Sequence, residues 1–310
     1  MAIITRNGKS VLFKRIVVFG CSHAAGLELG DAMWVADKYT EDEVDAIKRE
    51  LEKDGKNREF YQTILKDVTP WELEKKQKTL SWPNYVAEYY NVPLLNLGKG
   101  GASNEEIMYS IETTIDRGIV DLDNDLILIS ITSPNRFFMI SDTCQPQSAI
   151  FDNSHGWPDD DAFRESMCKH LSNPHYSVWQ TYSSLRHIDL LSSKYGERFI
   201  GVYGFCNTKH FVPATSEKTS RLLNAIDAMD FILDNELCLL HFNEYSDEAN
   251  HGFWHPKIKY HKILANEVVQ RLEHNTECQK EINLADTLTD EEKLIKRINE
   301  LRRSDPFIYY

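Results

Sequence analysis

Apolar positions in this chain fall into short continuous runs, separated by longer stretches in which they recur every three or four residues. The continuous runs predict strands at Arg15–Phe19, Val92–Asn96, Leu126–Ile131, Phe199–Tyr203 and Leu237–Phe242. The helical spacing predicts helices over Asn104–Arg117, Val178–Tyr195, Lys218–Leu233 and His261–His274. Strands that alternate with helices of this length imply βαβ units and a mostly parallel sheet covered on both faces. The strands LILISI and RFIGVYGF are continuously apolar, which suits burial on both sides.

Two segments break the alternation. Asp31 to Leu80 is rich in Glu, Asp and Lys, with helical spacing around Val44, Ile47 and Leu51 and again at Phe60, Ile64 and Leu65. It reads as a helical insertion, 31–80. Pro134 to Pro174 is aromatic and irregular, carries His155-Gly156-Trp157-Pro158 before an acidic run, and reads as a long loop or small subdomain near the mouth of the sheet. The body is then expected over 1–276. The tail, 277–310, begins a charged helix near Thr289 and ends in Asp305-Pro306-Phe307-Ile308-Tyr309-Tyr310, which suggests docking onto the body or onto a protein partner.

Composition narrows the classes. The chain has 310 residues, 42% hydrophobic and 27% charged, as in an ordinary globular protein. A formal net charge of −13 opposes non-specific binding to nucleic acid or anionic membrane. No run approaches the roughly 18 apolar residues that cross a bilayer, and the amino end has no secretory leader pattern. Six cysteines are scattered without a CxxC pair, so reduced thiols in a cytoplasm-like compartment are expected.

Candidate chemistry collects where predicted strands end. Lys14–Leu29, KRIVVFGCSHAAGLEL, runs a β-branched strand into Gly20-Cys21-Ser22-His23 and then into small residues suited to a helix start. A hydroxyl there meets free helix N–H groups and can serve as a nucleophile if a base reaches it. After the second strand comes Asn96-Leu97-Gly98-Lys99-Gly100-Gly101-Ala102-Ser103-Asn104, in which the Gly101 amide is placed to stabilise an oxyanion. Thr132-Ser133-Pro134-Asn135-Arg136 follows the third strand. His251-Gly252-Phe253-Trp254-His255-Pro256 precedes the closing helix, and His255 can act as general base. Phe137, Phe138 and Trp157 are candidates to line an acyl or sugar pocket.

This order resembles the SGNH (GDSL-like) hydrolase family across about Lys14 to Glu273, and divergent members from tailed phages share such GCSH openings and DPFIY-like ends. The resemblance implies a flavodoxin-like three-layer α/β/α fold, here with a five-stranded sheet, and hydrolysis of carboxyl esters. Position by position it makes Ser22 the nucleophile, Gly101 an amide donor to the oxyanion and His255 the base. Asn135 is the nearest match to the oxyanion Asn, although GxND is not present and Thr132 or Ser133 can occupy that space. Cys21 stands where family members have Asp, and Gly252 stands where the acidic partner of the His belongs. Asp247 or Glu248 replaces that partner only if the loop folds back.

Other chemistries fit less well. His251, His255 and His261 have no carboxylate or Cys at ligand spacing, so no metal is expected. The glycines match neither GxxxxGK[ST] nor GxGxxG, so no nucleotide cofactor is expected. The GxSxG elbow is missed at Ala24. Two functions remain: an esterase acting on a small-molecule or glycan ester, and a silent SGNH-like module that binds a glycan or protein in a phage particle or host-takeover complex.

Overall fold

The computed structural model describes residues 1–26, 77–134, 136–140, 146–150, 174–204, 216–235 and 258–274, with Thr208, Leu237 and positions 43, 46, 47, 49, 50 and 53. From the amino end, a hairpin of β1 (Ala2–Arg6) and β2 (Lys9–Phe13) leads into β3 (Arg15–Gly20) and a short helix α1 (Ser22–Ala25). There follow α2 (Trp82–Tyr89), β4 (Leu94–Asn96), α3 (Asn104–Asp116) and β5 (Asp125–Ile131). A second hairpin of β6 (Arg136–Ile140) and β7 (Pro146–Ile150) precedes α4 (Pro174–Tyr195), β8 (Phe199–Tyr203), α5 (Glu217–Asp227) and α6 (Ile258–His274).

Four strands form a parallel sheet in the order β4-β3-β5-β8. Their alternate side chains feed two separate cores. Val17, Phe19, Ile127 and Ile129 pack with Ile107 and Ile111 of α3, Val178 and Leu185 of α4, and Leu223 of α5. On the opposite face, Ile16, Val18, Leu126 and Leu128 meet Trp82 and Val86 of α2 and Leu264 and Val268 of α6. Helices therefore cover both faces, and every residue of β5 is buried, as its unbroken apolar run requires. None of the described helices is long and apolar enough to cross a membrane.

The register is pinned at the amino edge. Arg15 pairs with Asp125 across β3 and β5, and its guanidinium grips the buried Asp125 carboxylate through Nε at 2.9 Å and Nη2 at 2.5 Å. The amino-terminal hairpin closes the same edge. Its turn is Asn7-Gly8, with φ of 48° and 72°, the two left-handed residues that a tight hairpin needs. Ile4, Val11 and Phe13 join the core beneath it, and buried Arg6 donates to the carbonyls of Phe199, at 2.8 Å, and Asp230. The opposite face of α2 and α6 is joined by polar contact too: the Trp82 amide donates to Nδ1 of the buried His261 at 3.0 Å.

Several elements depart from the periodicity. The hairpin β1-β2 and helix α2 were not among the expected elements, and the stretch 134–174 contains the paired strands β6 and β7. Strand β4 begins at Leu94, because Pro93 has no N–H for the ladder and contributes only its carbonyl, to Ile16. The helix expected over Lys218–Leu233 ends at Asp227. Beyond it the chain must extend, since Gly201 N–H donates to Phe231 O at 2.7 Å and Leu233 N–H donates to Gly201 O at 2.9 Å. Ile232 thereby makes a one-residue parallel bridge on the far side of β8. Leu237 is not in a strand, and the rest of the fifth strand expected at Leu237–Phe242 lies outside the described residues. Within the insertion, positions 43, 46, 47, 49, 50, 53 and 77–80 are helical.

Where β3 ends, α1 lies directly on the sheet backbone. A Cβ at Gly20 would stand 2.4 Å from Ser130 Cβ and 2.8 Å from Ala24 Cβ, and one at Gly98 would stand 2.8 Å from the Ala25 nitrogen. Gly20→Ala is expected to lower stability by about 2–3 kcal/mol through this overpacking. Gly118→Ala, with open space around it and only a φ of +66° to oppose it, is expected to lose about 1 kcal/mol. Urea denaturation of both variants checks the difference, and equal losses would remove close helix–sheet packing as the constraint on α1.

Candidate active site at the carboxyl rim

The connection leaving β3 leads toward β4, whereas the one leaving the adjacent β5 leads toward β8. Loops that part in this way open a crevice outside the strand ends, the usual ligand position in a parallel sheet. Ser22 stands on one side of that point and Thr132 on the other, each two residues beyond a registered pair, Gly20 and Ser130.

Ser22 is the first residue of α1. Cys21 precedes it in extended conformation, and its carbonyl accepts from the amides of Ala24 and Ala25 at 3.0 and 3.1 Å. A helix start leaves its earliest amides unsatisfied, so the amides at the Ser22 end are the ones available to developing negative charge. The helix is stopped after one turn by Gly26, whose φ of 72° is left-handed and whose N–H donates to Ser22 O. A side chain at Gly26 would strike the Gln77 carbonyl at 2.4 Å. Ser22 itself is only 3% exposed.

The loop after β4 is held against α1 by Asn96. Its Nδ2 donates to Ala24 O at 2.8 Å and to Ser81 Oγ at 3.3 Å, while Oδ1 accepts from Gly98 N–H at 2.9 Å. Leu97 and Lys99 amides then donate to Val18 O and Gly20 O, carrying the loop alongside the end of β3. Gly101 follows with φ of +80° and no heavy atom within 4 Å of where a Cβ would stand, so conformation, and not crowding, calls for glycine there. Ser103 caps α3, its Oγ accepting from Glu106 N–H at 3.2 Å.

Asn104, which motif reading passed over, ties this loop to the next. Its Nδ2 donates to Thr132 O at 3.1 Å and its Oδ1 accepts from Thr132 N–H at 3.0 Å. The Thr132 amide is thereby committed to structure, which removes it as a donor to an oxyanion. Arg136 approaches the loop from the β5 side, with Nη1 3.4 Å from Ala102 O, and Lys99 pairs with the buried carboxylate of Glu106. Two cations therefore flank the Gly101 turn of an otherwise acidic protein. The signal for Asn104 was present in Ser103-Asn104-Glu105-Glu106, but helix-cap chemistry explained it without any need for a long-range partner.

Ser22 and Gly101 thus share one rim. Asn135 and His255 lie outside the described residues, as do Trp157, His251, Asp247 and Glu248. Phe137 and Phe138 fall in β6, opposite Ala149 and Ser148. A narrow crevice bordered by Phe19, Gly20, Leu97, Lys99, Ala102 and Glu106 reaches the rim from the α3 face. A wider hollow of about 350 Å³ opens at the other edge, among Asn84, Asn91, Val92 and Pro93, and touches none of these groups. Among the described residues, no group of three His, Cys, Asp or Glu side chains is arranged to hold a metal ion. No protein-family model matches the chain, and no curated protein matches it significantly.

Beside the turn, Glu105 occupies the second position of α3, and both its carboxylate oxygens are shut off from solvent. Burial pushes its carboxyl above the ordinary range, and the nearby Ser103 hydroxyl and Glu105 amide only partly oppose this. The unfolded chain releases this proton at the ordinary pKa while the folded chain still holds it. Stability is therefore lost as pH rises from the ordinary value through the raised one. Glu105→Gln, neutral at every pH, is expected to gain stability relative to the parent between about pH 4 and pH 8. Chemical denaturation at the two pH values checks this, and a difference that stays constant or reverses would show that Glu105 ionises in the folded protein.

Proposed function

We propose that this chain is a serine ester hydrolase of SGNH type. The observation that carries the reading is the position of Ser22, at the carboxyl end of a central parallel strand and beside the point where the sheet's connections diverge. The order β4-β3-β5-β8 also supports the finer fold assignment, since it is the order of the first four strands of a flavodoxin-like sheet.

In this reading Ser22 Oγ attacks the ester carbonyl and His255 takes its proton. The amides of Ser22 and Gly101, with the Asn135 side chain, hold the oxyanion. Collapse of the tetrahedral intermediate expels the alcohol, which receives its proton from His255. Water, deprotonated by the same imidazole, then releases the acid and restores Ser22. The substrate is an O-acetyl or short acyl group on a glycan, a choice drawn from the family resemblance and not from any measured pocket. The carboxyl-terminal tail, 277–310, serves as a docking segment for a protein partner.

The 3% exposure of Ser22 favours a second reading, a catalytically silent module of the same fold that binds through its rim. Incubation with a fluorophosphonate probe and p-nitrophenyl acetate separates the two. Under the hydrolase reading the native protein is labelled and turns over the ester, while Ser22→Ala loses labelling and at least about 10³-fold in rate. Labelling that persists in Ser22→Ala would overturn the nucleophile, and absence of both signals in the native protein selects the silent module.

A further inference from the structure

We infer that Asn104 is a positioning residue for the oxyanion turn: its carboxamide locks the Gly101 loop to the end of β5, and so holds Gly101 at a set distance from Ser22. The inference deepens the hydrolase reading and rests on it for its catalytic meaning, but the clamp itself stands on geometry.

The carboxamide behaves as a peptide group. It accepts from Thr132 N–H at 3.0 Å and donates to Thr132 O at 3.1 Å, a reciprocal pair of the kind made between strands. Nδ2 also lies 3.4 Å from Thr181 Oγ1, which brings α4 into the same junction. Asn104 is 2% exposed and Thr132 3%, so neither partner has water as a substitute. Only Ala102 and Ser103 separate Asn104 from Gly101, and Ala102 N–H closes back onto Lys99 O at 3.2 Å. That short span passes a shift at Asn104 directly to the turn. On its other side the loop is fastened to β3 through Lys99 N–H and Gly20 O at 2.9 Å, one residue before Cys21 and Ser22. The turn is therefore strung between the two strands that border the crevice. Oxyanion stabilisation depends on donors being held in place before the charge develops, and small displacements cost much of the effect.

The role differs from simple support of the fold, and three variants expose the difference. Asn104→Ala removes both bonds, Asn104→Asp keeps the shape and the acceptor but loses the donor, and Leu223→Ala weakens the same core from α5, which contributes no group to the Asn104–Thr132 pair. Two measurements are made at a temperature where all are folded: hydrogen exchange of peptides spanning 98–104 and 130–134, and the rate of fluorophosphonate labelling and ester turnover. The expected result is at least tenfold faster exchange in both peptides for Asn104→Ala, with an intermediate increase for Asn104→Asp. Labelling and kcat are expected to fall at least tenfold for Asn104→Ala with KM changed less than twofold, whereas Leu223→Ala stays within twofold on every readout. Unchanged exchange at 98–104 in Asn104→Ala, or an equal fall in labelling for Leu223→Ala, would overturn the inference. Should the native protein itself resist the probe and the ester, the hydrolase reading fails. Exchange then decides the clamp alone, faster exchange in the Asn104 variants supporting it and unchanged exchange overturning it.

Discussion

The absence of a side chain at Gly20 sets the geometry of the whole carboxyl rim. Only a hydrogen on that Cα lets α1 settle onto the sheet, because Ser130 and Ala24 already fill the space on either side. Ser130 is flanked again by Gly204, where a Cβ would fall 2.1 Å from its hydroxyl. Strands β3, β5 and β8 thus end in a tightly fitted patch of small residues. Close-packed interiors transmit such fits rigidly, so the position of Ser22 is a property of the sheet as much as of its own helix.

Around that patch, loops are joined by side chains that imitate the backbone. Asn96 ties the second loop to α1, and Asn104 ties the helix that follows to β5. Both are buried at a place where strand pairing has ended and backbone groups would otherwise lack partners. A carboxamide offers one acceptor and two donors on a short stem, and no other small side chain can replace a peptide unit at both its ends. Among the described residues, the charges beside the Gly101 turn are Lys99 and Arg136, with Glu106 paired to Lys99.

The parallel sheet was legible because β3, β5 and β8 are buried on both faces and leave unbroken apolar runs, and β8 falls on the expected residues. Helices α3, α4 and α6 were legible for the complementary reason, one face apolar and one wet. The amino-terminal hairpin was also written locally, in Asn7-Gly8 between alternating residues, but its strands are short and half exposed and leave a weaker pattern than the sheet. Strands β6 and β7 carry no comparable pattern. The end of α5 could not be read locally, because Met229 to Leu233 has helical spacing and is drawn out only by Gly201 on another strand.

For the site, Ser22 and the left-handed Gly101 were visible because each depends on its own neighbours in the chain: a strand, a turn and a helix start. Local chemistry thus specified the kind of element at each place and the residue types at each strand end. Which ends face one another was settled by the order β4-β3-β5-β8, since that order depends on pairings between segments about 70 to 110 residues apart. Asn104 gained its partner, and Thr132 lost its free amide, through the same long-range closure. A hydrogen bond between distant segments leaves no periodic trace in either one, so it exists for an observer only once the chain has folded.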